Sequence, residues 1–118
     1  MPSDDGDPLL LIHGLGLSGR SWNPVLPILT CEHEVLAPDL PGFGTAPPLR
    51  DRAPTVAALT DAIEAELDRT GLNRVHVAGN SLGGWIALEL ARRGRARSAV
   101  ALSPSGLEAP RSACTSSP

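Results

Sequence analysis

Lysine is absent from this 118-residue sequence, and all ten of its basic residues are Arg. Tyrosine is absent too: Trp22, Phe43 and Trp85 are the only aromatic residues besides histidine. A core with so few rings has to be filled by Leu, Val, Ile and Ala. Cys31 and Cys114 match no metal or redox spacing and make no disulfide framework. No apolar run approaches the ~18 residues of a membrane-spanning helix. The opening residues, Met1-Pro2-Ser3-Asp4-Asp5-Gly6-Asp7, are acidic where a secretory leader is basic and then apolar, which predicts a cytoplasmic protein. The formal charge of -3 offers no basic field, so neither nucleic acid nor an anionic membrane is an expected partner. What remains is 42% hydrophobic and 19% charged, the balance of one small globular domain.

Along the chain, short apolar runs alternate with helical spacing. Pro8-Leu9-Leu10-Leu11-Ile12 is continuous and apolar and stops at His13-Gly14, which predicts a strand buried on both faces of a parallel sheet. Ser18 to Leu29 predicts a weaker, short helix, because Trp22, Leu26 and Leu29 recur but Pro24 and Pro27 interrupt them. His33 to Pro38 reads as a second strand, followed by a turn at Asp39-Leu40-Pro41-Gly42-Phe43-Gly44 and a Pro-rich loop over 45–54. Thr55 then caps a helix with Val56, Leu59, Ile63 and Leu67 in line, stopped by Gly71. Arg74 to Gly79 is a third strand. A second clear helix runs from Ser81 to Arg93, ended by Gly94, and Ser98 to Leu102 is a fourth strand. This order predicts an α/β fold: about four parallel strands, right-handed crossovers and helices on both faces. The domain is expected over 1–107, with an irregular tail over 108–118.

The chemistry concentrates at Gly79-Asn80-Ser81-Leu82-Gly83, between a strand and a helix. A G-x-S-x-G in that place is a nucleophile elbow: the turn strains the serine backbone, and the residues two positions away must be small. The hydroxyl then stands at a helix N-terminus, where free N–H groups favour a developing oxyanion. The plainer alternative is a Gly-rich turn whose Ser81 merely caps the helix. His76 lies five residues before Ser81, about 16 Å away along an extended strand, and reads as a strand-face residue. His33 is expected to be exposed.

Three ordered segments, the His13-Gly14-Leu15-Gly16 loop, the turn at 39–44 and the elbow running on to Gly84-Trp85, make the chain resemble the α/β-hydrolase family from about Pro8 to Leu107. Trp22, nine residues past His13, fits the same pattern. The resemblance implies a partial α/β-hydrolase fold and cleavage of an ester or similar acyl bond in a small-molecule substrate, with Ser81 as nucleophile. It implies an oxyanion hole from the backbone N–H groups of Leu15 and Leu82, with the Leu15 side chain lining the acyl pocket. It implies neither cofactor nor metal. His13 would hold its loop, and Asp39 would tie down its turn.

The family's order of serine, then acid, then histidine is not completed here. After Ser81 the only carboxylates are Glu89 and Glu108, and no histidine follows. The expected product is therefore the N-terminal half of a hydrolase, truncated biologically or by a gene-model error. Its open sheet edges predict self-association. Two rival readings stand beside this one. Gly14-Leu15-Gly16-Leu17-Ser18-Gly19, with Asp39 twenty residues on, has the ingredients of a Rossmann-type dinucleotide site. A non-catalytic interaction protein could also keep the fold without the chemistry.

Overall fold

The apolar run after the acidic start extends as strand β1, Asp7–Ile12, in a computed structural model that describes residues 7–103. Leu10, Leu11 and Ile12 are almost wholly buried. Side chains of successive strand residues point to opposite faces, so β1 is covered on both sides, as a central parallel strand requires. The next segment is helical where a weak, short helix is expected, but most of it is 3₁₀. Gly19–Val25 is a 3₁₀ segment with Pro24 inside it, and α1 is a single turn, Leu26–Leu29, with Pro27 in its first turn. Two prolines remove two N–H donors from twelve residues, and the tighter, shorter helix is what remains.

Strand β2 is His33–Leu36, two residues shorter than the sequence suggests. Helix α2, Val56–Arg69, begins where expected: the Thr55 side chain accepts from the Ala58 N–H at 3.1 Å. It ends in a Schellman pair, Leu72 N–H to the Leu67 carbonyl and Gly71 N–H to the Asp68 carbonyl, with Gly71 at φ +80°. Strand β3 is Val75–Asn80, α3 is Leu82–Arg92 and β4 is Ala96–Leu102. Gly94 stops α3 with the same pair of bonds. The fourth strand starts two residues earlier than its apolar run because Ala96 pairs with Val75 across a small register shift. The expected tail over 108–118 lies outside the described residues.

Among the described residues the strands are all parallel, in the order β2-β1-β3-β4. One face carries α2 and α3: Leu59, Ile63, Leu67, Ile86 and Leu90 pack with Leu10, Ile12, Val75 and Val77 into one buried cluster. The other face is marked by His76, whose ring meets Ser98 on β4. On that face the 3₁₀ segment reaches the sheet near its top, where Ser21 and Trp22 share a cleft with Asn80 and Leu102. Helices thus lie on both faces, but unequally. Val100 and Leu102 remain 52% and 47% exposed.

Candidate active site

The winding reverses between β1 and β3: from β1 the chain goes outward to β2 on one side, and from β3 outward to β4 on the other. In an open parallel sheet a ligand crevice forms at such a switch point, outside the carboxyl ends of the strands. The His13-Gly14 loop leaves β1 there, and the elbow leaves β3 beside it.

Ser81 sits at φ 58°, ψ -118°, a backbone state that residues with a side chain rarely adopt. Its side chain makes no capping hydrogen bond to the helix, which removes the reading of Ser81 as an ordinary cap. Its own N–H donates to the Leu102 carbonyl at 2.9 Å, fastening the turn to β4. The flanking glycines are demanded by close approach. A Cβ on Gly79 would collide with the Gly83 carbonyl and come within 2.7 Å of the Gly84 nitrogen. One on Gly83 would collide with the Ile12 carbonyl and come within 2.6 Å of the His13 oxygen. The helix start is therefore pressed against the end of β1. A Cβ on Gly14 would stand 3.2 Å from the Cβ of Ser81, so the two loops touch at the serine.

His13 is fully buried and holds this arrangement. Leu40 N–H donates to its Nε2 at 2.9 Å, so Nε2 is unprotonated, and Nδ1 donates to the Gly14 carbonyl at 2.8 Å. Phe43 packs against the ring, centroids 5.4 Å apart. Both ring nitrogens are committed, which agrees with a positioning role rather than that of a base. Asp39 does what a turn-holding carboxylate does. It accepts from Thr45 N–H at 2.9 Å and from Gly19 N–H at 2.7 Å, and these bonds hold its carboxyl below its usual range. That leaves it poorly placed for a ribose, and the glycines at 14, 16 and 19 lead into a 3₁₀ segment rather than a long helix. Both facts weigh against the dinucleotide reading.

Leu82 directly follows the serine, and Leu15 directly follows Gly14, whose backbone closely approaches it. The backbone bonds of the two turns run from Leu17 N–H to the Gly14 carbonyl and from Gly84 and Trp85 N–H to the Ser81 carbonyl. The two leucines line a cleft of about 270 Å³ together with Pro41, Phe43, Leu49 and Arg52. The sequence reading missed these last wall residues, because they come from the turn and the Pro-rich loop, and only folding carries them to the elbow.

The remaining histidines are elsewhere. His76 meets Ser98 Oγ at 2.7 Å and Asp7 Oδ2 at 3.3 Å near the start of β3, with the His33 ring 6.2 Å away. Glu89 is taken by Arg92 and Arg93, whose hydrogen bonds lower its pKa to about 2. Glu108 and Cys114 lie outside the described residues. Among the described residues no group of three or more His, Cys, Asp or Glu side chains could hold a metal ion, and no helix is long and apolar enough to cross a membrane.

Comparison with known proteins agrees with this geometry. Residues 9–116 match the alpha/beta hydrolase family. The chain is 42% identical over 85 residues to a pimeloyl-[acyl-carrier protein] methyl ester esterase of Aromatoleum aromaticum, covering 72% of this chain and 31% of that protein. It is 54% identical over 50 residues to the epoxide hydrolase EphH of Mycobacterium tuberculosis, covering 42% of this chain and 23% of that one. Among solved structures, a meta-cleavage product hydrolase of Pseudomonas fluorescens superposes with a TM-score of 0.77 at 29% identity, over 86% of this chain and 39% of that one. A hydrolase of Pseudomonas aeruginosa gives 0.80 at 27% identity, over 94% and 42%. The chain spans less than half the length of each. With the strand order, the strained serine turn and a family match over most of its length in agreement, the chain belongs to the alpha/beta hydrolase family.

Proposed function

We propose that this site cleaves an ester or similar acyl bond of a small-molecule substrate, with Ser81 as the nucleophile. The observation that carries the reading is the elbow. A non-glycine residue is held at φ 58° by a turn that admits no Cβ two positions to either side, and its side chain does not cap the helix behind it. Strain of that kind persists where the surrounding structure enforces it, and it clusters at functional sites. The N–H groups of Leu15 and Leu82 hold the oxyanion that forms when Ser81 Oγ attacks the carbonyl carbon. The Leu15 side chain and the Phe43 side of the cleft receive the acyl group.

A serine alcohol needs a base to take its proton. His13 is locked between two loops, and His33 and His76 sit near the opposite end of the sheet, so the base and its carboxylate come from outside residues 7–103. A positioned base contributes about 10²–10⁴-fold. The 118 residues alone therefore turn over p-nitrophenyl acetate weakly, and Ser81→Ala lowers that rate only modestly. Supplying a C-terminal half that bears the acid and histidine, in cis or as a separate fragment, restores turnover that depends strictly on Ser81. Turnover of the restored protein that survives Ser81→Ala would exclude Ser81 as nucleophile. Fast, Ser81-dependent turnover by the 118 residues alone would place the base among His13, His33 and His76.

A further inference from the structure

Among the described residues, the cleft lined by Leu15 and Leu82 has apolar walls and one charged side chain. Leu15, Pro41, Phe43, Leu49 and Leu82 supply hydrocarbon, and Arg52 supplies a guanidinium. Resting on the acyl-cleaving reading of Ser81, we infer that this cleft takes an acyl group whose far end carries a carboxylate, and that Arg52 is the residue that recognises it.

Arg52 is oriented, not loose. Its Nη1 donates to Asp61 Oδ2 at 2.7 Å, and Asp61 Oδ1 is gripped in turn by Arg93 Nη1 at 2.6 Å. Arg93 also holds Glu64 and Glu89, so the relay is anchored on both α2 and α3. The Asp61 carboxyl is held below its usual range by Arg93 first and Arg52 second, and stays ionised. Arg52 is the end of this relay that reaches the cleft. A guanidinium has five N–H donors in a planar fork, and Asp61 engages Nη1, which leaves donors for a second carboxylate.

The loop that presents Arg52 is stiffened by Pro47, Pro48 and Pro54, whose ring-locked φ angles reduce the entropy lost when a ligand binds. A purely apolar acyl tail laid along this wall would strip water from the cation and return no hydrogen bond. A tail ending in a carboxylate replaces that water with a charge-assisted bond, strengthened by the hydrocarbon around it. Arg52 is still half-exposed, so the preference is moderate.

The test uses the 118-residue chain and two probes of equal length, monomethyl adipate and dimethyl adipate, titrated separately at low salt by NMR chemical-shift change. The monoester is expected to bind about tenfold more tightly, the factor that about 1.4 kcal/mol confers. Added salt should shrink the difference. Arg52→Gln should bring the two affinities together with an unchanged thermal midpoint, and Arg52→Glu should reverse the preference. Equal affinities in the unaltered chain, failure of both esters to bind, or a preference that survives Arg52→Gln would each overturn the assignment. The catalytic reading is judged separately by Ser81-dependence of turnover. A carboxylate preference without such turnover would keep the role of Arg52 and remove that of Ser81.

Discussion

The two faces of the sheet are made by the same four strands and have different fates. On the face under α2 and α3, Val75 and Val77 are buried with Leu10 and Ile12, and Leu67, Ile86 and Leu90 close over them. On the other face, β4 presents Val100 and Leu102 half-exposed, although these residues are no less apolar. Hydrophobicity alone therefore does not decide burial: on this same face Leu11 of β1 is buried, while Val100 and Leu102 of β4 are not. The covered face also carries the electrostatic clamp. Arg93, 19% exposed, joins Asp61 and Glu64 of α2 to Glu89 of α3, and Arg95 adds Glu64 and Asp68. A helix pair tied by charges at its rim and apolar at its centre makes a rigid support for the elbow at the start of α3. The open face has no such frame.

The largest expected break of this contrast is at the junction between helix and sheet. Gly83→Val drives two methyls into the end of β1, where even a Cβ has no space, and should cost more than about 3 kcal/mol or abolish folding. Loss of the cooperative transition in chemical denaturation is the readout, and an unchanged midpoint would mean the close approach is not real. Next in size, Leu90→Ala on the covered face should cost about 2–5 kcal/mol, the usual range for a cavity left in a packed core. Val100→Ala on the open face should cost less than about 1 kcal/mol. Equal penalties at the two positions would mean that the open face is covered in solution.

The clamp sharpens the same contrast through pH. The folded-state pKa of Glu89 is lowered from 4.5 to about 2 by its bonds to Arg92 and Arg93, so the ionised carboxylate favours the folded state. That contribution is complete above pH 4.5 and is lost as pH falls toward about 2. Glu89→Gln should therefore be less stable near neutrality and show a flatter acid limb in urea midpoints measured across this window. An unchanged limb would place the acid sensitivity elsewhere. The smallest effect is on association. The outer strands of the described sheet, β2 and β4, and the apolar residues of the open face should make the isolated chain self-associate at micromolar concentration. Val100→Lys should reduce that association, read by size-exclusion chromatography with light scattering, with little change in stability. A clean monomer before substitution would count against the open face as a sticky surface.

Much of this was legible in the residues, where the governing interactions are local. Thr55 caps α2 by accepting from the Ala58 N–H three residues on, and Gly71 and Gly94 end helices through bonds spanning four to six residues. The elbow was readable in part for the same reason: Gly79 is required by Gly83 and Gly84 within one turn, whereas Gly83 is required by the distant end of β1. The segment from Ser18 to Leu29 was only half legible. Its apolar spacing is helical, but the two prolines decided between an α-helix and a 3₁₀ segment, and the backbone donors they remove outweigh the period. The ends of β2 and β4 were misplaced because pairing with a neighbour, not apolar content, sets where a strand starts and stops.

By itself, then, the sequence determined the alternation of strands and helices, the helix ends, the serine turn and the family to which they belong, since most of the contacts behind them lie within a few residues. Tertiary structure alone decided that β1 lies between β2 and β3, and so brought the His13 loop against Ser81. It also carried Asp39 to the amide of Gly19, Arg93 to Asp61 thirty-two residues away, and Arg52 to the wall of the cleft. Those contacts depend on which faces find a partner to bury them, and burial is a property of the assembled layers rather than of any single segment.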